Sequence, residues 1–332
     1  MANINTNKEG VAFDCDDEDT ILRAALRAGI GMPYSCNVGS CGNCRVELID
    51  GAVEHLRADA PAWSERDLKR NRWLGCQAKP KGDCTIKFRA DDSYIPRVRP
   101  IRQGARLVGV TPITRDISEF AFRLDSATDF DPGQYALLSV PGVEGARAYS
   151  MCNLPGEDLW RFQIRRVPEG AATGALFGQL ETGAEIRIDG PYGTAQLRTD
   201  TPRDILLLAG GSGLSPMVSI ARGARAAGLL GDRRIHFYYG CRSADDAIAP
   251  DFVENELGFV DSFVTAISDP AGFDGWTGPK GFLHDVVLAD LGGALKEHEI
   301  YFAGPPVMAA AIQKTAHENG VPMDQIHFDE FY

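Results

Sequence analysis

Cys36-Asn37-Val38-Gly39-Ser40-Cys41-Gly42-Asn43-Cys44 places three thiols on one loop in C-x4-C-x2-C spacing, and Cys76, in the run Trp73-Leu74-Gly75-Cys76-Gln77, supplies a distant fourth. This spacing with a remote fourth cysteine is the signature of a plant-type [2Fe–2S] cluster. Three thiolates on one loop must wrap a compact group. Gly39 and Gly42 permit the tight turns this requires and let backbone N–H groups approach the sulfides. A structural zinc ion also takes four thiolates, although its ligands usually come as two short C-x2-C pairs. Cys84 is the rival for the fourth position, but it sits inside the alternating segment Cys84-Thr85-Ile86-Lys87-Phe88, so Cys76 is preferred. Cys15, Cys152 and Cys241 read as small buried hydrophobes.

Outward from this loop, 332 residues with 44% hydrophobic and 24% charged side chains suit a globular protein of two or three domains. The N-terminal stretch MANINTNKEG is polar, which argues against a signal peptide or membrane helix and for a cytoplasmic protein. Eight cysteines in such a context point to metal chemistry before disulfides. The net charge is −12, and residues 203–332 carry 18 acids against 9 bases. No basic surface is offered to a nucleic acid, whose affinity rests on phosphate neutralisation. The acidic run from Asp14 to Asp19 reads as a solvated face.

Residues 94–104 (YIPRVRPIRQG) contain two prolines and a run of arginines without apolar periodicity, as an exposed connector does. The spacing divides the chain into a cysteine-rich domain over 1–93, a linker over 94–101, a β domain over 102–202 and an α/β domain over 203–332. Before Thr201–Pro202, short alternating segments such as ALLSV, RFQIR and AEIRI between Gly and Pro turns predict an antiparallel barrel or sandwich. After it, the continuous apolar run Asp204 to Ala209 predicts a buried parallel strand, followed by a glycine turn and a helix near Met217 to Ala227. RRIHFYYG, SFVTAIS and HEIYFAG read as further strands, and DFVENEL and VMAAAIQKTAHENG as helices. This alternation implies a parallel sheet with helices on its faces.

Three further motifs bear chemistry. Arg147-Ala148-Tyr149-Ser150 puts a guanidinium, an aromatic ring and a hydroxyl on one strand, able to meet a phosphate, a ring and a ring nitrogen. It is followed by Ile164-Arg165-Arg166-Val167-Pro168-Glu169-Gly170-Ala171-Ala172-Thr173. The turn Gly210-Gly211-Ser212-Gly213-Leu214-Ser215-Pro216 allows close backbone approach, and its proline suits the first turn of a helix whose N-terminus can face a phosphate. Tyr239-Gly240-Cys241-Arg242 ends the next strand. Arg242 is followed by Asp245 and Asp246, carboxylates that would repel an additional phosphate there. The tail His327 to Tyr332 is aromatic-rich and suits hydrophobic packing.

Taken in this order, the motifs resemble the ferredoxin–NADP reductase superfamily over essentially the whole chain. Within it the sequence is similar to reductase components of bacterial multicomponent oxygenases that serve toluene, phenol or alkene monooxygenases or naphthalene-type dioxygenases. The resemblance implies a β-grasp [2Fe–2S] ferredoxin domain, an antiparallel β-barrel FAD domain and a parallel α/β nucleotide-binding domain. It assigns Arg147 to a flavin phosphate, Tyr149 to stacking on the isoalloxazine and Ser150 to its N5. Gly170 to Thr173 would present N–H groups to the pyrophosphate, with Thr173 where serine is more usual; Ala148, Ile164 and Arg165 complete the flavin set. Gly211, Ser212, Gly213, Ser215 and Pro216 would form the nicotinamide-nucleotide loop, with Gly240 and Arg242 near the ribose. Gly304 and Pro305 lie in Ala303-Gly304-Pro305-Pro306, where the family usually has cysteine in place of Ala303. Phe331 would lie near the flavin and yield to the nicotinamide, and Ser150 and Phe331 are the catalytic candidates. Electrons would pass from NADH, favoured over NADPH because Asp245 and Asp246 would repel a 2′-phosphate, through FAD to the cluster and on to an oxygenase component or its Rieske ferredoxin, with the chain acting as a monomer. Two other readings are an electron-supplying reductase for a deoxysugar dehydratase and a non-catalytic flavin redox sensor.

Overall fold

A computed structural model describes residues 1–269, 271 and 274–331. They form two compact units: Met1–Arg102 with Ala146–Ala148 and Asp189–Thr194, and Gln103–Gly145 with Tyr149–Ile188 and Ala195–Tyr332.

The first unit contains β1 (Ala2–Thr6), β2 (Ala12–Cys15), α1 (Ile21–Arg27), β3 (Arg45–Asp50), β4 (Val53–His55), α2 (Glu65–Lys69), β5 (Arg72–Leu74), β6 (Ala78–Pro80) and β7 (Cys84–Lys87). Its sheet runs β2-β1-β7-β3-β5, with β1 and β7 parallel and the other pairs antiparallel. Alternation sends Ala2, Ile4, Cys84 and Ile86 inward, and α1 buries Ile21, Leu22, Ala24, Ala25 and Leu26. This is a sheet wrapped around one helix, the β-grasp arrangement. Arg27, in the last turn of α1 where a cation is favoured, pairs with Asp19 and Asp189 at 2.7 Å each. Ser64 and Asp67 form a capping box that starts α2.

Next along the chain, mostly in the second unit, come β8 (Ile101–Pro112), β9 (Ile117–Leu124), β10 (Tyr135–Ser139), β11 (Arg147–Ser150), β12 (Leu159–Arg165), α3 (Ala171–Gly178) and β13 (Glu185–Tyr192), with Arg147, Ala148 and the end of β13 counted in the first unit. The six strands run β11-β10-β13-β8-β9-β12. A bridge between Met151 and Phe162 then joins the chain after β11 to β12, bringing the two edges together as a barrel requires. Inward-facing Phe120, Phe122, Phe130, Trp160 and Phe162 fill it.

The rest of this unit comprises β14 (Asp204–Gly210), α4 (Leu214–Ala226), β15 (Ile235–Cys241), α5 (Pro250–Leu257), β16 (Ser262–Ile267), α6 (Leu283–Leu291), β17 (His298–Gly304), α7 (Pro306–Glu318) and β18 (Ile326–Glu330). The sheet is parallel in the order β16-β15-β14-β17-β18. Ile205 to Gly210 are all buried because both faces of β14 are covered, which explains its unbroken apolar run. Two elements lie beyond the sequence reading. The tail is a strand, β18, whose Phe328 stacks on Phe302 at 4.9 Å, and α6 fills the interval before β17. No helix among the described residues is long and apolar enough to cross a membrane.

Candidate cofactor sites

The cluster loop lies between α1 and β3, and Cys76 follows β5. Asn37, Gly39 and Gly42 take left-handed φ of 55°, 88° and 81°, folding the loop tightly around its thiols. At Gly42 a Cβ would stand 2.6 Å from the Arg45 guanidinium, which itself bonds the Gly42 carbonyl oxygen at 3.0 Å. The N–H groups of Ser40 and Cys41 both donate to Cys36 Sγ at 3.3 Å. A hydrogen bond from the Cys41 thiol, aided by these N–H groups, outweighs burial and lowers the Cys36 thiol to about 5. The Cys44 thiol likewise holds Cys76 below the usual thiol range, whereas sharing and burial push Cys41 and Cys44 up. All four sulfurs therefore interact in pairs, none in a disulfide. Asn37 is buried, and its Nδ2 has no partner among the described residues. Four clustered thiols with N–H donors aimed at them fit a thiolate-bound iron–sulfur group. Cys84 lies in β7 with its side chain in the core.

On β11, Arg147 is exposed, Ala148 and Tyr149 are half-buried, and Ser150 is buried. Gly170 caps α3, whose N-terminus has no side-chain cap, so Ala171, Ala172 and Thr173 occupy its first turn. Thr173 Oγ1 accepts from Val167 N at 3.1 Å, pinning the turn that leads into the helix. Within the second unit, a half-buried ring and an uncapped helix start suit the ring and phosphate of a flavin nucleotide. The Ile164 side chain is in the barrel core, leaving only its backbone to meet a ligand. Gln163, absent from the sequence reading, is buried with both Nε2 and Oε1 unpartnered among the described residues. Its orphaned amide is visible only in three dimensions.

A cavity of about 430 Å³ opens at the carboxyl ends of β14, β15 and β17, where open α/β sheets bind ligands. Gly211, Ser212, Gly240, Arg242, Pro305 and Phe331 line it, joined by Arg165 and Asp116. Arg165, expected with the flavin set, thus faces this cavity and pairs with Asp116 at 2.6 Å. Glycine is obligatory at Gly213, where a Cβ would lie 1.9 Å from the Ala303 carbonyl oxygen. At Gly210 and Gly304 a Cβ would meet only the flexible end of the Met308 side chain, at 2.5 and 2.6 Å, which can shift. Ser215 and Pro216 are buried in the first turn of α4. The Ser215 side chain turns toward β11 and β12 rather than the cavity, donating to the Ser150 carbonyl oxygen and accepting from Gln163 N. Asp246 lines the cavity but is already engaged, capping Ser243 and pairing with Arg115 at 2.7 Å. Asp269 is the acid beside Arg242, at 3.8 Å. Phe331 is held by its N–H bond to the Gly304 carbonyl oxygen at 3.0 Å.

Three family models match in succession: a 2Fe-2S iron-sulfur cluster binding domain over residues 4–81, an oxidoreductase FAD-binding domain over 104–197 and an oxidoreductase NAD-binding domain over 207–314. The ferredoxin–NAD(P)(+) reductase CarAd of Metapseudomonas resinovorans is 40% identical, with 96% of each chain covered. The ferredoxin–NAD(+) reductase component of the alkene monooxygenase system of Xanthobacter autotrophicus is 37% identical over 97% of this chain and 98% of its own. Among solved structures, the ferredoxin reductase in carbazole 1,9a-dioxygenase superposes with a TM-score of 0.91 at 36% identity, covering 100% of this chain and 98% of that one. The thiol loop, the β11 motif and the glycine loop thus fall in the three matched domains in order, and the chain belongs to the family of ferredoxin–NAD(P)(+) reductases, oxidoreductases with a [2Fe–2S] cluster, FAD and NAD.

Proposed function

We propose that this chain is the NADH-oxidising reductase component of a multicomponent oxygenase, handing single electrons to the oxygenase or to its Rieske ferredoxin. The observation that supports this most is the cavity at the carboxyl edge of the parallel sheet, where the nucleotide loop at Gly211–Ser212 shares a wall with Arg165 and Phe331. The relatives named as components of alkene and phenol monooxygenase systems support the acceptor class. Bound FAD and cluster supply the conversion of a two-electron donor into one-electron steps. The protein's part is positioning. Gly211, Ser212 and Gly213 let the backbone approach the dinucleotide phosphates, Ser215 and Pro216 brace the start of α4, and Gly240 and Arg242 face the ribose. Gly304 and Pro305 flank the nicotinamide. Arg147 would bind a flavin phosphate, the N–H groups of Gly170 to Thr173 would face the pyrophosphate, Tyr149 would stack on the ring and Ser150 would hydrogen-bond near its reactive nitrogen. Phe331, in the wall of the coenzyme cavity, would lie near the flavin ring and yield to the nicotinamide. Cys36, Cys41, Cys44 and Cys76 ligate the cluster.

On this reading residues 1–93 form the ferredoxin domain, 102–202 the FAD domain and 203–332 the NAD domain, with 94–101 as linker. Eight unbridged thiols suit the reducing cytoplasm. An absorbance spectrum of the purified protein taken before and after NADH tests the assignment: flavin and cluster bands bleach together. Flavin bleaching with an unreduced cluster would overturn it.

A further inference from the structure

Asp204, His236 and His298 come from three adjacent strands, β14, β15 and β17, at the amino ends of the parallel sheet. One ligand atom of each lies within 4.8 Å of the other two. The register explains the convergence. Asp204 pairs with His298, and His236 pairs with Leu206, two residues along β14 from Asp204. Side chains two apart on a strand share a face, so all three project to the side where Leu206, Tyr238 and Ile300 pack. Each residue is also held from behind. The Ala294 carbonyl oxygen accepts from His298 Nδ1 at 2.9 Å, which leaves a lone pair on Nε2 of the neutral ring. His236 Nδ1 bonds the Ser262 hydroxyl at 2.9 Å, and Asp204 Oδ1 accepts from Arg234 N at 2.8 Å.

We propose that Asp204, His236 and His298 form a binding site for a divalent zinc ion, distinct from the iron–sulfur cluster and from the coenzyme cavity. Two imidazoles and one carboxylate are a common three-ligand set for zinc, with water completing the tetrahedron. Backing of a ligand histidine by a carbonyl oxygen and of a ligand carboxylate by an N–H group is the outer shell that such ligands usually have. Tetrahedral donors around zinc stand roughly 3.3 Å apart, so small side-chain rotations close the triangle from 4.8 Å. Asp204 and His236 are half-buried and His298 is buried, which leaves an open side for the ion to enter. Asp261, which accepts from Ile235 N at 2.8 Å, adds negative charge nearby, and the Arg234 side chain opposes it in part.

The test is equilibrium dialysis of the holoprotein against zinc, with bound metal counted by mass spectrometry alongside iron, and thermal unfolding with and without zinc. One zinc per chain is expected beyond the cluster iron, with a rise in Tm. His236→Gln and His298→Gln are each expected to weaken binding at least about tenfold and to abolish the Tm rise. Should His298→Gln fail to fold, His236→Gln, on the half-buried rim, gives the decisive comparison. Absence of zinc beyond background, or equal binding by wild type and His236→Gln, overturns the site.

Discussion

The Ser215 hydroxyl donates to the Ser150 carbonyl oxygen across 2.6 Å, tying the first turn of the nucleotide helix to the strand of the flavin motif. The same face of α4 continues the pattern: Ser219 Oγ donates to the Asn153 carbonyl oxygen at 2.9 Å and Arg222 to that of Cys152 at 2.9 Å. Positions i, i+4 and i+7 lie on one side of a helix, so a single face holds the segment after β11. Ser215→Ala leaves two buried backbone groups, Ser150 C=O and Gln163 N–H, without this partner, at a cost of ~1–3 kcal/mol. The expected outcome is a Tm several degrees lower and slower flavin reduction by NADH. An unchanged Tm would show that water replaces the hydroxyl.

Ser150 itself is buried at the end of β11. Ser150→Ala is expected to retain FAD but to slow flavin reduction by roughly five- to tenfold, the loss of one well-placed hydrogen bond. Stopped-flow absorbance reads the rate directly. An identical rate removes Ser150 from the mechanism.

The fourth cluster ligand can be decided by iron content. Cys76→Ser should lose the cluster while FAD stays bound, because the Cys44–Cys76 pair is broken. Cys84→Ser, inside β7, should keep full iron. The reverse pattern would reassign the ligand.

Coenzyme choice is expected to depend in part on Asp269. Arg242 is exposed and its nearby acid is Asp269, while Asp246 is engaged with Ser243 and Arg115. Asp269→Asn is expected to raise kcat/KM for NADPH by about two- to fivefold, the size of an exposed ion-pair effect, with little change for NADH. Steady-state kinetics with both coenzymes would refute this if the ratio stayed constant.

Glu299 sets an acid limit on the fold. Burial alone would raise its carboxyl, but bonds from His327 at 2.6 Å and Arg203 at 2.8 Å, with their charges, hold it below its ordinary 4.5. A depressed folded pKa contributes stability that is present above pH 4.5 and lost as pH falls through the folded value. Glu299→Gln should therefore be less stable at neutral pH and lose less further stability on acidification below 4.5. Parallel Tm profiles for the two proteins would contradict this.

What the sequence made legible was local. Cys36 to Cys44 and Gly210 to Pro216 each place their chemistry within nine residues, so spacing alone exposes it. Unbroken apolar runs such as Asp204 to Ala209 likewise announce a covered strand. Features that depend on which strands become neighbours stayed hidden. Arg165 reads as part of a flavin segment, yet its strand end turns it toward Asp116 and the nucleotide cavity. Gln163 looks like any polar residue on an alternating strand until its amide is seen buried without partners. The aromatic tail suggests packing, but only the exposed edge of β17 makes it a strand. Asp245 and Asp246 suggest a repulsive pair, whereas Asp246 is a cap and Asp269, more than twenty residues on, stands beside Arg242.

The parallel run of the second unit's sheet has a further consequence. Every strand points its carboxyl end at the coenzyme cavity, so the amino ends collect at the opposite margin, ~20 Å away along the seven residues of β14. An anchor, a label or a control input placed there stands a sheet's length from the coenzyme cavity.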